Sequence, residues 1–183
     1  QTPRSAEVIA APGPTTAVVF GVALDYCVRA AALGLRRRGY RTLLVEDATA
    51  PVTAEGGAAA RAELAEAGVA LLTTDAVLAA AFRDRRGDLQ IEGGGTVVHI
   101  LPDDNKGSRH QRFLLDLASG QTLLVAHNID LAPRIANLRK GDSVRFYGEY
   151  EWNDKGGVIH WTHHDPRGRH PDGWLEHEGR RYE

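Results

Sequence analysis

The one cysteine of this 183-residue chain, Cys27, stands where a predicted strand meets a predicted helix. Residues 17–20 form a short apolar run typical of a strand, Gly21 permits a tight turn, and from Val28 the apolar residues recur at helical spacing. Gly39 is the expected end of that helix. Amide N–H groups at a helix start stabilise a thiolate, so Cys27 is a candidate nucleophile. The alternative is that Cys27 is a small, buried apolar residue.

The segments around Cys27 carry a family resemblance. GVALDYCVRAAALGLRRRGY, followed by VEDA, resembles the GxAxDYCVxxTALDAxxxGY and VEDA segments of the nicotinamidase branch of the isochorismatase-like cysteine hydrolases. The resemblance covers residues 18–78, the C-terminal part of that domain. It implies an α/β fold with a partial three-layer parallel sheet, in which Cys27 attacks an amide carbonyl. It also implies that the N–H groups of Cys27 and Ala23 face the oxyanion, and that the peptide between Val22 and Ala23 is cis.

Departures from that family affect both substrate contacts and catalysis. Leu24 replaces a usual threonine and Gly34 a common aspartate, so the substrate contacts are expected to differ. The family's catalytic Asp and Lys, and its metal ligands, come from the first half of the domain. Residues 1–88 contain no lysine or histidine, and Asp25 is a motif residue rather than the general base. We therefore expect no turnover by this chain alone, and we expect its partners to be a small amide substrate or the missing N-terminal half-domain.

A change in composition divides the chain near residues 87–95. All lysines, histidines and tryptophans follow the break. We predict a partial cysteine-hydrolase domain at 1–86, a linker at 87–94 and a second domain at 95–183. The chain begins with Gln1 rather than methionine, which suggests a fragment, a processed chain or the end of a longer reading frame.

Composition also restricts the class of protein. The formal net charge is −2, and a single cysteine excludes an internal disulfide, which favours a reducing, cytoplasmic location. There is no apolar run of about 20 residues and no basic-then-apolar leader, so neither a membrane span nor a signal peptide is predicted. The open edge of a half-sheet favours association, including a homo-oligomer, unless another chain covers it.

After the Cys27 helix, the first part alternates strands and helices. This order predicts a parallel sheet covered by helices. Glu46 and Asp47 are expected at the C-terminal end of its second strand, either in a site or as solvated charges. The predicted elements are a strand at 41–45, a helix at 55–67 capped by Thr53, a strand at 69–72 and a helix from Thr74 or Asp75 to Phe82.

The second part is predicted to contain five strands, with a helix at 130–140 between the third and fourth. Three strands, a helix and two strands are the layout of a five-stranded OB-like β-barrel. The fourth strand should place Val144, Phe146, Gly148, Tyr150 and Trp152 on one face. The five strand segments are GTVVHILP, HQRFLLDLA, QTLLVAHNI, DSVRFYGEYEW and GVIHWTHH.

Residues 91–182 are similar to a family of small, uncharacterised bacterial OB-like proteins with HNID and WTHHDP signatures. This resemblance implies no particular reaction, so the residues must be interpreted from their own chemistry.

The histidines near the end of the chain suggest a metal site. His160, His164, Asp165 and His170 are candidate ligands of Zn²⁺ or another divalent ion. Alternation along the last strand would place His160, Thr162 and His164 on one face. Two alternatives stay open: a hydrogen-bonded polar network that holds the tail 166–174, and acid–base catalysis.

A ligand-binding surface is predicted from Lys106, Arg109, His110, Arg112 and Trp161. Single-stranded nucleic acid is possible for an OB-like barrel, but from residue 90 onward 12 basic residues face 14 acidic ones, which disfavours it. An oligosaccharide or another anionic small ligand would also fit.

We interpret the chain as the C-terminal portion of a cysteine amidohydrolase fused to an OB-like module of unknown ligand. The alternative is a non-catalytic module that binds single-stranded nucleic acid, an oligosaccharide or a metal ion, with an inert α/β appendage.

Overall fold

The computed structural model describes residues 16–183 and divides the chain into two compact units, Gln1–Thr73 and Thr74–Glu183. The first 15 residues of the predicted hydrolase domain lie outside the described residues. Among the described helices, none has the length and apolar character needed to cross a membrane.

The first unit is α/β, as the sequence predicts. Its three strands are parallel and lie in the order β1-β2-β3. A core cluster forms where Val28 and Ala32 pack with Leu44, Ala60 and Leu64. The elements are β1 (Thr16–Val22), a π-helical turn (Leu24–Val28), α1 (Arg29–Arg37), β2 (Arg41–Ala50), α2 (Ala54–Glu66) and β3 (Ala70–Leu72).

The capping residues that the sequence predicts lie at the helix ends of this unit. The Thr53 hydroxyl accepts the Gly56 N–H at 3.0 Å and caps α2. Gly39 and Gly68 have φ of 86° and 76°, the left-handed conformation that follows a helix at low cost only in glycine.

Strand β2 is longer than predicted and continues past Glu46 and Asp47 to Ala50. The register with β1 shifts after Val19, so that Gly21 lies opposite Thr49. The Thr49 hydroxyl donates to the Val45 carbonyl at 2.6 Å, inside this irregularity. The bulge lets β2 resume its pairing with β1 after Asp47. Glu46 and Asp47 therefore lie within the strand and not at its C-terminal end.

The second unit is a helix followed by a mostly antiparallel, seven-stranded sheet in the order β10-β9-β7-β4-β5-β6-β8. Strand β7 also pairs with β8, so β7, β4, β5, β6 and β8 pair in a cycle in which only the β6–β8 contact is parallel. The elements are α3 (Thr74–Arg83), β4 (Leu89–Asp104), β5 (His110–Asp116), β6 (Thr122–Asn128), β7 (Ser143–Glu151), β8 (Val158–His160), β9 (Trp174–His177) and β10 (Arg180–Tyr182).

The face assignment of the fourth predicted strand, β7, is confirmed for its strand residues. Val144, Phe146, Gly148 and Tyr150 are buried, while the residues between them are exposed or half-buried. Gly148 is required by close packing, because a Cβ there would lie 2.5 Å from the His160 carbonyl oxygen.

The boundary between the units lies earlier than the sequence predicts, because α3 belongs to the second unit. The Thr74 hydroxyl donates to the Glu92 carbonyl at 2.8 Å, and the Trp152 indole N–H donates to the Phe82 carbonyl at 3.1 Å. The Ser119 N–H donates to the Asp75 carboxylate at 2.9 Å.

The predicted linker at 87–94 differs from the structure for the same reason. Leu89 to Gly94 pair with β7 as the start of β4. A Cβ at Gly93 would lie 2.5 Å from Thr74 Cγ2, and one at Gly95 would lie 2.8 Å from the Asp116 carbonyl oxygen. The glycine run therefore provides close packing rather than flexibility.

The predicted helix at 130–140 is wrong, since the segment consists of turns and irregular backbone. Pro133 lacks the N–H that a helix interior needs. The side chain of the buried Gln111 takes both backbone groups of Ile135, donating to its carbonyl and accepting its N–H at 3.0 Å each. Side-chain partners thus replace the helical hydrogen bonds.

The hairpin β9–β10 was not predicted. It joins the sheet through β7, with Phe146 opposite Leu175. Glu178 and Gly179 form its turn with φ of 51° and 75°. Positive φ at both turn positions is typical of a two-residue hairpin.

Candidate functional site

The first candidate site is the cysteine turn, residues 22–28. The peptide between Val22 and Ala23 is cis, as the family resemblance implied, and the Ala23 carbonyl accepts the N–H groups of Tyr26 and Val28 at 3.2 Å each. Cys27 is a free, exposed thiol. Its sulfur lies 3.3 Å from both the Ala23 nitrogen and the Val22 carbonyl oxygen. The turn therefore brings a reachable nucleophile and a backbone N–H together.

Asp25 fixes the cysteine turn to the loop before α2. Its carboxylate accepts the N–H groups of Val52 at 2.9 Å and Thr53 at 3.3 Å. The hydrogen bond from Val52 is the main cause that lowers the pKa of Asp25. A Cβ at Gly56 would lie 2.6 Å from Asp25 Oδ2, so this glycine leaves room for the carboxylate. Asp25 therefore acts as an anchor, with both oxygens engaged.

The described part of the first unit supplies no imidazole or lysine amine to act as a base, since the first histidine is His99 and the first lysine is Lys106. Two of its acidic groups are paired with arginine: Glu46 lies 3.2 Å from Arg61 and Glu63 lies 2.7 Å from Arg29.

The second candidate site, which we name the histidine cavity, lies in the second unit and has a volume of about 790 Å³. Of the predicted ligand-binding residues, His110 and Trp161 line it, whereas Lys106, Arg109 and Arg112 do not. The lining residues are Ser108, His110, Ala126, Asn128, Asp130, Leu131, His160, Trp161, His163, Asp165, Pro166 and Arg167.

The predicted arginines are engaged elsewhere. Arg109 binds the Asp130 carboxylate through its backbone N–H at 2.8 Å and its Nε at 2.7 Å. Arg112 donates twice to the Pro102 carbonyl, at 2.9 and 3.1 Å. Both side chains thus support the loop between β4 and β5.

Two imidazoles of the cavity are held in one tautomer by backbone carbonyls. The Nδ1 of His110 lies 2.8 Å from the Ser108 oxygen, and the Nδ1 of His163 lies 2.8 Å from the His164 oxygen. A carbonyl can only accept, so each Nδ1 carries the proton. In the neutral rings, each Nε2 is then a hydrogen-bond acceptor.

Trp161 forms part of the cavity wall in an uncommon conformation. Its φ of 52° is rare for a bulky residue. The indole stacks on the His170 ring, with centroids 4.3 Å apart and planes 8° from parallel. Because the left-handed backbone ends the strand alternation at His160, Thr162 and His163 are buried together while His164 is exposed, contrary to the predicted faces.

The four predicted metal ligands do not converge among the described residues. His164 lies 2.9 Å from Asp172. The Asp165 carboxylate accepts backbone N–H groups of Arg167, Arg169 and His170 at 2.7–3.0 Å. These bonds, with that of Arg167 first, lower the pKa of Asp165.

The other two predicted ligands, His160 and His170, meet at Glu149, which the sequence did not identify. His160 Nε2 lies 3.1 Å from Glu149 Oε1, and His170 Nε2 donates to Glu149 Oε2 at 2.5 Å. Ligand atoms of Glu149, Glu151 and His160 all lie within 4.8 Å of one another. The register that places Glu149 opposite His160 could have revealed this cluster, but it depends on strand pairing.

Burial and hydrogen bonding set the charge of the neighbouring histidines. Burial lowers the pKa of His127 to about 4, and its Nδ1 and Nε2 contact Thr162 Oγ1 at 2.8 Å and the Pro133 carbonyl at 3.2 Å. Burial also lowers the pKa of His160, against the carboxylates of Glu149 and Glu151. For His170 the burial effect is outweighed, chiefly by the hydrogen bond to Glu149, and the pKa is raised.

Comparison with known proteins gives a partial match to the first unit. Residues 2–76 match the family model described as Isochorismatase domain. The crystal structure of PnC1 from L. infantum in complex with nicotinate is 39% identical, with a TM-score of 0.38, over 39% of this chain and 36% of that chain. An Acinetobacter baumanii nicotinamidase and pyrazinamidase is 30% identical, with a TM-score of 0.34, over 36% of this chain and 32% of that chain. This chain thus spans about a third of the length of these solved structures. No curated protein matches the sequence.

A second family model covers the rest of the chain and includes every residue of the histidine cavity. Residues 62–183 match the model described as Protein of unknown function (DUF3465). Since this match covers more than half of the chain, the protein belongs to the DUF3465 family.

Proposed function

We propose that the first unit is the nucleophile-bearing part of a cysteine amidohydrolase that acts on a small amide of the nicotinamide type. The observation that carries this proposal is the 3.3 Å approach of the Ala23 nitrogen to the exposed Cys27 sulfur. A thiolate at this position would attack the amide carbon, and the N–H groups of Ala23 and Cys27 would donate to the oxyanion that forms. The C–N bond would then break, ammonia would leave with a proton, and water would hydrolyse the thioester at Cys27 to release the acid. The isochorismatase match over residues 2–76 supports the same assignment.

The proposed hydrolase needs a second polypeptide segment, because the first unit has neither a lysine nor a histidine. The segment would supply the general base and the substrate pocket. Strand β1 pairs only with β2 among the described strands, which leaves an edge that can accept another strand. Val22, Tyr26 and Val52 around the cysteine turn are exposed at 73%, 64% and 66%, an apolar surface that such a segment would cover.

Ammonia release from nicotinamide tests this proposal. The purified 183-residue chain should release none. Addition of the N-terminal half of a related cysteine hydrolase should produce turnover that Cys27→Ala abolishes and His164→Ala, in the second unit, leaves unchanged. Turnover by the chain alone would disprove the need for a second segment, and no turnover after complementation would disprove the amidohydrolase assignment.

We propose a binding role for the second unit, with the pairing cycle of β7, β4, β5, β6 and β8 forming an OB-type barrel. The specific observation in favour is the histidine cavity, whose volume lies in the usual range for small-ligand sites. From residue 90 onward, acidic residues outnumber basic ones 14 to 12, so nucleic acid is not the favoured ligand. A reducing compartment such as the cytoplasm would keep Cys27 as a free thiol.

A further inference from the structure

We propose that the histidine cavity binds a neutral, hydroxyl-rich ligand, namely a saccharide. The inference rests on the binding role proposed for the second unit and specifies its ligand. It follows from the hydrogen-bonding capacity that the cavity leaves open, from its aromatic wall and from its size.

Two histidines that line the cavity have their tautomers fixed in advance. His110 and His163 each donate Nδ1–H to a backbone carbonyl at 2.8 Å, so neither ring can reverse its tautomer without losing that bond. In its neutral form, each ring therefore carries a lone pair on Nε2 that a ligand donor can use. A ligand hydroxyl can supply the matching proton, because each hydroxyl both donates and accepts.

The cavity also offers donors. The Asn128 side-chain oxygen accepts the Asp130 N–H at 3.0 Å, which leaves the amide –NH₂ of Asn128 for a ligand. Arg167 also lines the cavity. Asp130 and Asp165 line the same cavity, but their carboxylates already accept N–H groups of the protein. The remaining acceptors and donors match hydroxyl groups, which can both accept and donate.

Other ligand classes match this set less well. An unprotonated phosphate only accepts hydrogen bonds, so its binding would require His110 and His163 each to take up a proton at Nε2, whereas a hydroxyl group binds the neutral rings directly. A metal ion needs three or four converging ligands, and within residues 16–183 the group of three that converges consists of Glu149, Glu151 and His160. Of these three, only His160 lines the cavity.

Trp161 lines the cavity, and an indole is a flat apolar group of the kind that packs against the C–H face of a sugar ring. Its stacking on His170 at 4.3 Å fixes the orientation of the ring. The left-handed backbone at Trp161, with φ of 52°, is strained, and strain of this kind clusters at ligand sites. A volume of about 790 Å³ is sufficient for more than one sugar residue.

Isothermal titration calorimetry of the full chain provides the test. The probes are soluble neutral glycans (β-glucan, xylan, galactomannan and malto-oligosaccharide), with inorganic phosphate, oligothymidylate and ZnCl₂ as competing classes. At least one neutral glycan should bind saturably. His110→Ala should weaken that binding by about tenfold, since it removes a positioned acceptor. Trp161→Gly should weaken it similarly, and glycine adopts a φ of 52° without strain.

His164→Ala is the matched control, because this exposed imidazole pairs with Asp172 and does not line the cavity. Its glycan affinity should equal that of the wild type. Glycan binding that is equal in all variants would overturn the proposal. Binding of only oligothymidylate, phosphate or zinc, weakened by His110→Ala, would overturn the saccharide while leaving the binding role intact. No binding of any probe would overturn both.

Discussion

At the residue scale, His127 and His170 respond to their surroundings in opposite ways. Burial holds His127 neutral, with a pKa of about 4, between the hydroxyl of Thr162 and the carbonyl of Pro133. His170 donates from both nitrogens, to Pro171 and to Glu149, a pattern that only the imidazolium ion can make. The two rings therefore contribute to stability with opposite dependence on pH.

The buried His127 predicts a loss of stability in mild acid. Below a pH of about 6.5 the unfolded chain protonates this histidine, whereas the folded chain does so only near pH 4. The free energy of unfolding should therefore fall between these values, by up to roughly 3 kcal/mol. Urea unfolding followed by tryptophan fluorescence measures this, since all three tryptophans lie in the second unit. His127→Gln should show a smaller decrease from pH 7 to pH 4.5, and an unchanged decrease would contradict the assignment.

The hydrogen bond to Glu149 predicts that the contribution of His170 to stability has the opposite dependence on pH. A raised folded pKa contributes stability below the unfolded value, and that contribution is lost as pH rises through the folded value. In Glu149→Gln the charged acceptor is gone while burial remains, so the NMR titration midpoint of His170 should move to lower pH. His164→Ala, which leaves Glu149 intact, is the control. An unmoved midpoint in Glu149→Gln would show that the carboxylate does not hold the proton.

Sequence alone identified some of these residues and missed others, for a physical reason. Cys27, His110 and Trp161 carry side chains that stand out by chemical type, and the structure places each at a candidate site. Glu149 is one of 24 acidic residues, so its type carries little information. Its importance comes from the strand register and from the loop that brings His170 to it.

At the element scale, local patterns predicted most strands and failed where side chains replace backbone partners. The alternation of apolar and polar residues predicted the two faces of β7 correctly, because one face of this strand is buried and the other is not. The helix expected at 130–140 failed because Gln111, distant in sequence, takes the backbone groups of Ile135. The face assignment after His160 failed because Trp161 adopts a left-handed backbone that no period of two describes.

The packing of β7 against β8 predicts the effect of Gly148→Ala. The new methyl group would lie 2.5 Å from the His160 carbonyl oxygen and 3.0 Å from Ile159 Cγ2, and backbone atoms cannot move aside cheaply. Overpacking of this kind costs about 1–3 kcal/mol. Thermal unfolding should show a midpoint several degrees lower than in the wild type. Ser143→Ala, at the exposed start of the same strand, should leave the midpoint unchanged, and an equal midpoint for Gly148→Ala would contradict the tight packing.

At the scale of the whole molecule, composition indicated two parts but misplaced the boundary. Lysine, histidine and tryptophan begin after residue 87, whereas the second compact unit starts at Thr74. The alanine-rich α3 has the composition of the first unit and the hydrogen bonds of the second. A boundary is a property of contacts, so composition located it only approximately.

The boundary predicts which fragment folds by itself. A chain of residues 74–183 keeps the hydrogen bonds of α3 to Glu92, Ser119 and Trp152, whereas a chain of 87–183 loses all three. At about 1 kcal/mol for each bond, the shorter chain should be less stable by roughly 3 kcal/mol.

Urea unfolding of both fragments, followed by tryptophan fluorescence, tests this boundary. The 74–183 chain should unfold in one cooperative transition, and the 87–183 chain should unfold at a lower urea midpoint or fail to fold. Thr74→Val within 74–183 removes one hydroxyl and keeps the side-chain shape, so its midpoint should fall between the two. If 87–183 were as stable as 74–183, α3 would be an appendage, and the boundary indicated by composition would be the physical one.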